Sequence, residues 1–261
     1  MHSLQGRRAL VCGSTQGIGR ASAEALAVAG AEVVLLARNQ DQLRAVRDAL
    51  PRGERVVHDS LVADFSDPPA VRRVVSEYLS DHPSFHILLN NTGGPPPGSA
   101  LDATEEAFRA AFTMHLLCNH ALVQALVPGM RAERYGRIVN IVSTSVREPI
   151  AGLGVSNTIR AATAGWAKTL SKELGPDGIT VNNILPGSTR TGRLEAVIAS
   201  RAKAAGTSVE EVERAMTAEI PLRRFAEAAE IAAAVVFLAS PAASYITGVS
   251  LPVDGGRLAS F

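Results

Sequence analysis

The sequence predicts an α/β domain built on a doubly wound parallel sheet of about seven strands, with helices on both faces. Three observations predict it. Strand-like and helix-like segments alternate from end to end. A glycine-rich loop joins the first strand to the first helix, Gly13-Ser14-Thr15-Gln16-Gly17-Ile18-Gly19. The composition is 46% hydrophobic with only 4% aromatic, the aliphatic balance expected where helices cover both faces of parallel strands. A length of 261 residues suits one such domain spanning 1–261.

The elements follow in order. Ala9–Cys12 reads as the first strand, and the helix after the glycine loop runs through Ala29 to the stop at Gly30-Ala31. Glu32–Ala37 is the second strand, and a helix over Gln40–Leu50 ends at Pro51. Arg55–His58 gives a third, weaker strand. Asp67-Pro68 opens a helix reaching Ser80, followed by the apolar strand His86–Leu89. One long helical stretch, Glu105–Met130, precedes the strand Arg137–Val142. The helix Ser156–Leu174 leads to the strand Thr180–Ile184. The segment 187–221 breaks the rhythm with two short helical patterns, the second opened by a capping box, Ser208-x-x-Glu211. A helix over Glu227–Ala239 and a strand over Val249–Val253 complete the series.

Several function classes are disfavoured. Lys and Arg total 26 against 25 Asp and Glu, interspersed, so there is no basic stripe for nucleic acid. No uninterrupted apolar run reaches the roughly 18 residues of a membrane span. Met1-His2-Ser3-Leu4 leads toward the first strand without a secretory apolar region. The two cysteines, Cys12 and Cys118, lie in apolar segments and read as buried thiols, and the 6 histidines form no ligand spacing, so no metal is expected. A cytoplasmic location fits this pattern.

The glycine loop carries the first chemistry. Glycine lets backbone approach a pyrophosphate closely, and the helix N-terminus presents free N–H groups and a positive dipole. The spacing GxxxGxG, with Gly13, Gly17 and Gly19, resembles the nucleotide-binding loop of the classical short-chain dehydrogenase/reductase superfamily, in its 3-oxoacyl-ACP-reductase-like branch. Cys12 stands where that family usually has Thr. Further landmarks follow in the family's order. Asn90-Asn91-Thr92-Gly93 resembles its NNAG motif, Ser143 its active-site serine, and Pro186-Gly187 with Thr191 its PGxxxT segment. Thr247-Gly248 and Asp254-Gly255-Gly256 resemble its C-terminal signature. The resemblance implies a Rossmann-type sheet ordered 3-2-1-4-5-6-7, with 187–221 as a helical substrate lid. The implied cofactor contacts are Gly13, Ser14, Thr15, Gln16, Gly17, Ile18, Gly19, Asn91, Gly93, Arg160, Pro186, Gly187, Thr189 and Thr191.

The second strand ends Leu35-Leu36-Ala37-Arg38-Asn39. An acid at this tip would hold a ribose 2′-OH and repel a 2′-phosphate, whereas Arg38 can pair that phosphate. The expected cofactor is therefore NADP(H). Asp64 matches the family position that caps the adenine, although a role opening the next helix fits equally.

The catalytic positions depart from the pattern. Counting from Ser143, the family's proton-donating tyrosine falls on Ser156, and its lysine, one helical turn on, falls on Arg160. The family's helical asparagine falls on His115. None of Tyr78, Tyr135 and Tyr245 begins a YxxxK, and the next lysine on that helix, Lys168, lies two turns further. A phenol has a pKa near 10 and an alkyl hydroxyl lies closer to water at roughly 15.7, a gap of about 7–8 kcal/mol in proton-donating power. Arg160 can hold ribose hydroxyls but does not carry protons. His115 admits two readings: a general acid with Ser143 orienting a carbonyl, or a helix residue that bonds a carbonyl and keeps a kink. Ser156 is either the N-cap of its helix or a substrate-contacting hydroxyl.

The activity implied is an NADP(H)-dependent oxidoreductase of a carbonyl/alcohol substrate, 3-oxoacyl-thioester-reductase-like. The alternative is a weak or inactive NADP(H)-binding sensor. Arg190, Arg193, Arg201 and Lys203 in the lid could receive a phosphorylated carrier or simply form a solvated face. The small residues of Ser156–Leu174 predict burial on both sides of that helix, and with the family's habit imply a homodimer or homotetramer.

Overall fold

The computed structural model describes residues 3–51 and 56–260. Seven strands form one all-parallel sheet: β1 (Arg8–Cys12), β2 (Glu32–Ala37), β3 (Asp59–Val62), β4 (Ile87–Asn90), β5 (Gly136–Ile141), β6 (Ile179–Pro186) and β9 (Ser250–Val253). Their order is β3-β2-β1-β4-β5-β6-β9. This is the expected winding, because the two-residue strands β7 (Thr189–Arg190) and β8 (Ala226–Glu227) pair with each other away from the main sheet.

Period-two alternation distributes each strand between two cores. Ala9 and Val11 of β1 pack on one side with α1 (Gly17–Val28), α2 (Gln40–Ala49) and α9 (Ala228–Ala239). Leu10 and Cys12 face the other side, with α3 (Pro68–Asp81), α5 (Cys118–Ala132) and α6 (Gly154–Leu174). Both cysteines are free and buried, and burial pushes their thiols up, Cys118 to about 12. The sheet reverses its winding between β1 and β4, and in such sheets the ligand crevice opens there, beyond the carboxyl ends of the strands.

The third strand lies further along than expected. Arg55 is outside the described residues, and Val56–His58 stay out of the ladder. His58 serves the edge with its ring instead: Nδ1 accepts from the Val33 N–H at 3.1 Å, and Nε2 donates to the Pro51 carbonyl at 2.9 Å. Backbone pairing then starts at Asp59 opposite Val34.

The single long helix is also corrected. α4 (Glu105–Phe112) and α5 are joined by a π-helical turn, Thr113–Leu117, that contains His115. By length and composition Glu105–Ala132 could cross a bilayer, contrary to the expectation of no span-length apolar run, although polar residues punctuate the stretch. Half of its most apolar window is buried in the fold, and the polar Asn119 is buried within α5, as in the core helix of a globular protein.

α6 starts at Gly154 with Leu153 at the cap, so Ser156 lies in the first turn and is not the N-cap. On its outward face Ala161 and Gly165 are exposed in the single chain. After β7 come α7 (Gly192–Ala205) and α8 (Val209–Ala218), with a small core of their own around Ile198, Val212 and Phe225. The capping box on α8 is present, with Ser208 Oγ accepting from Glu211 N–H at 3.2 Å.

Candidate functional site

The glycine loop is pressed against the end of β4. Gly13 and Gly17 have φ of +58° and +54°, where side chains other than glycine's are strained. A Cβ on Gly13 would lie 2.5 Å from the Asn91 carbonyl oxygen, and one on Gly19 would lie 2.1 Å from the Gly13 carbonyl oxygen. Asn91 pins the loop from β4, its Nδ2 donating to the carbonyls of Cys12 at 3.3 Å and Gly13 at 3.2 Å. The N-cap of α1, Gln16, makes no side-chain hydrogen bond to the helix, so the first-turn N–H groups are not capped from within the chain. Ser14 is fully buried and its Oγ has no partner.

A ladder of buried amides ties the neighbouring strand ends together. Asn90 Nδ2 donates to Asn140 Oδ1 at 2.8 Å, Asn140 Nδ2 to Asn183 Oδ1 at 2.9 Å, and Asn183 Nδ2 to Ser250 Oγ at 3.1 Å. The ladder runs through β4, β5, β6 and β9, beneath the loops that carry the site. Sequence reasoning missed it, because an asparagine in a strand gives no sign of its partner.

Above these ends opens a cleft of about 810 Å³. Of the residues expected at a cofactor, Gly13, Thr15, Gln16, Gly17, Ile18, Arg38, Asp64, Asn91, Gly93, Arg160, Pro186, Gly187, Thr189 and Thr191 all line it. Ser14 and Gly19 do not. They lie behind the loop and shape it, Gly19 through its approach to Gly13. Arg38 is exposed at the tip of β2, with Asp64 3.7 Å away as its ion-pair partner. Asp64 Oδ1 accepts the Ser66 N–H at 2.8 Å, and this bond, with the Arg38 charge as a further cause, holds its carboxyl below the usual range. Asp67, not Asp64, caps α3.

Ser143, Ser156 and Arg160 line the same cleft. Ser143 Oγ accepts from the Ser145 N–H at 3.1 Å, which leaves its own proton free to point into the cleft. Arg160 is half-buried and donates through Nη1 to the Ile141 carbonyl at 2.6 Å. Burial, with Arg193 nearby, lowers its pKa to about 10, so it stays charged at neutral pH. No tyrosine lines the cleft. Tyr78 packs on Arg8 and Phe85, Tyr135 lies under Arg7 and Arg137, and Tyr245 is fully exposed. Lys168 is occupied elsewhere, donating to the Gly248 carbonyl at 3.0 Å.

His115 lies beside the cleft, in the wall of a second cavity of about 510 Å³. It is 3% exposed, with Nδ1 2.7 Å from Thr92 Oγ1 and Nε2 without a partner. Burial above all, then the charges of Arg160 and Arg193, push its pKa down to about 3. The first reading changes, and the second only in its bonding partner, since His115 does sit in the π-helical turn that interrupts the helix. The imidazole is neutral at neutral pH and is not a protonated acid there, and it bonds the Thr92 hydroxyl, not a helix carbonyl. The second cavity went unnoticed in the sequence, although Pro95-Pro96-Pro97 form its rim.

The basic residues of 187–221 separate. Arg190 pairs with Glu213 and Glu227, each at 3.6 Å, and stacks over Phe225. Lys203 is exposed near the end of α7. Arg193 and Arg201 turn into the cleft.

A glycine-cradled crevice at the switch point of a doubly wound sheet, flanked by an uncapped helix N-terminus, defines a dinucleotide-binding protein. Comparison with known proteins narrows this class. A family profile described as Enoyl-(Acyl carrier protein) reductase matches residues 13–257. An uncharacterised oxidoreductase of Mycobacterium tuberculosis is 34% identical over 257 residues, 98% of this chain and 94% of that one. The NADPH-dependent reductase BacG of Bacillus subtilis is 32% identical, covering 97% of this chain and 98% of its own. The crystal structure of L-sorbose reductase from Gluconobacter frateurii, complexed with NADPH and L-sorbose, superposes with a TM-score of 0.93 at 31% identity, over 100% of this chain and 99% of that one. The chain belongs to the short-chain dehydrogenase/reductase superfamily.

Proposed function

We propose that this chain is an NADP(H)-dependent oxidoreductase acting on a carbonyl/alcohol couple, through an active site that has no side-chain proton donor of the tyrosine type. The observation that carries the reading is the gathering of the glycine loop, Arg38, Ser143 and Arg160 in one cleft. NADPH, when bound, supplies a hydride. The chain fits this cofactor: Gly13 and Gly19 have no room for a Cβ, the start of α1 is open to a phosphate, and Arg38 at the tip of β2 can hold a 2′-phosphate.

The other residues divide the remaining work. Ser143 donates its free O–H to the substrate oxygen. Arg160, tied to the Ile141 carbonyl, holds the nicotinamide ribose and supplies fixed positive charge to an oxygen that gains electrons. Ser156 contacts the substrate as a neutral hydroxyl. Ser156 is no stronger an acid than water and His115 is neutral. The oxygen that gains electrons is therefore held as an anion by Arg160 and Ser143 and takes its proton from hydronium or a buffer acid of the solvent. The segment 187–221 serves as the lid, and the exposed Ala161–Gly165 face of α6 pairs subunits in a homodimer or homotetramer.

NADPH oxidation assayed against 3-oxoacyl thioesters, ketones and quinones tests the reading, with turnover expected for one carbonyl class. Tight NADPH binding with no turnover on any of them would overturn it in favour of a second reading, a nucleotide-binding regulatory protein. That reading is favoured by the joint absence of a tyrosine and a lysine from the cleft. It predicts that Ser156→Tyr with Arg160→Lys creates an activity that the parent lacks.

A further inference from the structure

The two cavities meet at Gly94 and Met114, which line both. Arg193 stands at this junction. Its guanidinium reaches from α7 to the loop after β4, Nη1 donating to the Gly94 carbonyl at 2.7 Å and Nη2 to the Pro95 carbonyl at 3.0 Å. Arg160 approaches from α6 and His115 from the π-helical turn. The three groups sense one another's charge, for Arg193 lowers the pKa of both Arg160 and His115, and Arg160 lowers that of His115.

No carboxylate answers this charge. Among the described residues neither Arg160 nor Arg193 forms an ion pair, and both spend hydrogen bonds only on backbone carbonyls. A half-buried guanidinium, Arg160, and an exposed one, Arg193, thus stand without a carboxylate partner, beside a buried imidazole nitrogen that also lacks a partner. Charge taken out of water is costly unless paired, which applies to Arg160, while the exposed fork of Arg193 is open to an anion from outside the chain.

The second cavity shows what that anion is attached to. Its walls are Pro96, Ala107, Ala111, Met114 and Val155, with Asp102 and Ser99 exposed at the mouth and His115 at the inner end. Its volume of about 510 Å³ falls within the range of small-molecule sites. A ligand filling it would present an apolar body to the alanines and an anionic end to the arginines. The planar fork of Arg193 suits a carboxylate, and Arg160, held by the Ile141 carbonyl, adds its positive charge nearby.

We propose that this junction is an anion subsite, which selects substrates carrying a free carboxylate beside an apolar body over uncharged or carrier-esterified ones. The proposal rests on the oxidoreductase reading above, and it names the substrate class of that same site.

Binding separates the two claims. The protein is first titrated with NADP⁺ by calorimetry. The NADP⁺-saturated protein is then titrated with octanoate and with its neutral counterpart octanamide. Octanoate is expected to bind at least ten-fold more tightly than octanamide. Arg193→Gln should remove that preference while leaving octanamide binding unchanged, and Arg193→Lys, which keeps the charge, should retain part of it. Failure to bind NADP⁺ refutes the oxidoreductase reading. With NADP⁺ bound, equal affinity for the two probes, binding of neither, or equal weakening of both by Arg193→Gln overturns the subsite alone. Inorganic phosphate binding as tightly as octanoate would show a site for any small anion, with no selection for a carboxylate on an apolar body, and overturn it as well.

Discussion

Acidifying the protein from pH 7 to pH 4.5 protonates His115 in the unfolded chain but not in the folded one. In the fold its pKa is held at about 3, chiefly because the residue is buried, only 3% exposed, and secondly because Arg160 and Arg193 repel a further positive charge. In the unfolded chain the imidazole returns to about 6.5. Between these values the unfolded state binds more protons, so stability falls as the pH drops below about 6.5 and levels off below about 3. At pH 4.5 the unfolded pKa is two units above the pH, which at about 1.4 kcal/mol per unit corresponds to a loss of about 3 kcal/mol. Other titrating groups contribute to the same curve, and comparison with His115→Asn removes them. Urea denaturation of both proteins at pH 7 and pH 4.5 gives the measurement. The stability of the parent relative to the variant should fall by about 3 kcal/mol between the two. A difference independent of pH, or an imidazole NMR signal titrating near 6.5 in the folded protein, would refute the reasoning and restore His115 as a neutral-pH acid.

Two further expectations concern the cofactor. Arg38→Ala removes charge-assisted hydrogen bonds worth about 1.5 kcal/mol at an exposed site, so NADPH affinity should fall roughly ten-fold with NADH affinity little changed, as read by calorimetry with each nucleotide. Gly19→Ala places a Cβ 2.1 Å from the Gly13 carbonyl oxygen, and the backbone must move. NADPH binding should be lost while circular dichroism still reports the α/β fold, and unimpaired binding would show that this contact does not shape the loop.

Much of the frame is legible in the residues. Gly13, Gly17 and Gly19 announce the loop because only glycine tolerates those φ values and approaches. Ser208 with Glu211 announces the start of α8, because the capping box is a local pattern whose partners are close in sequence. Where a partner is distant, the sequence is silent. Val56–His58 read as a strand until the ring of His58 is found bonding Val33 and Pro51. Ser156 reads as a cap until the helix proves to start at Gly154.

By itself, then, the sequence determined the alternation of strands and helices, the position of the nucleotide loop and the arginine at the tip of β2. The winding of the sheet and the loss of a tyrosine beside Ser143 came from the family resemblance those landmarks carry. Each depends on residue type at a fixed spacing along the chain. Only the tertiary structure decided what surrounds His115. Its charge state depends on burial and on Arg160 and Arg193, which reach it from two other helices. The meeting of two arginines with no carboxylate was decided in the same way, because electrostatics acts through space and spacing along the chain carries no record of it.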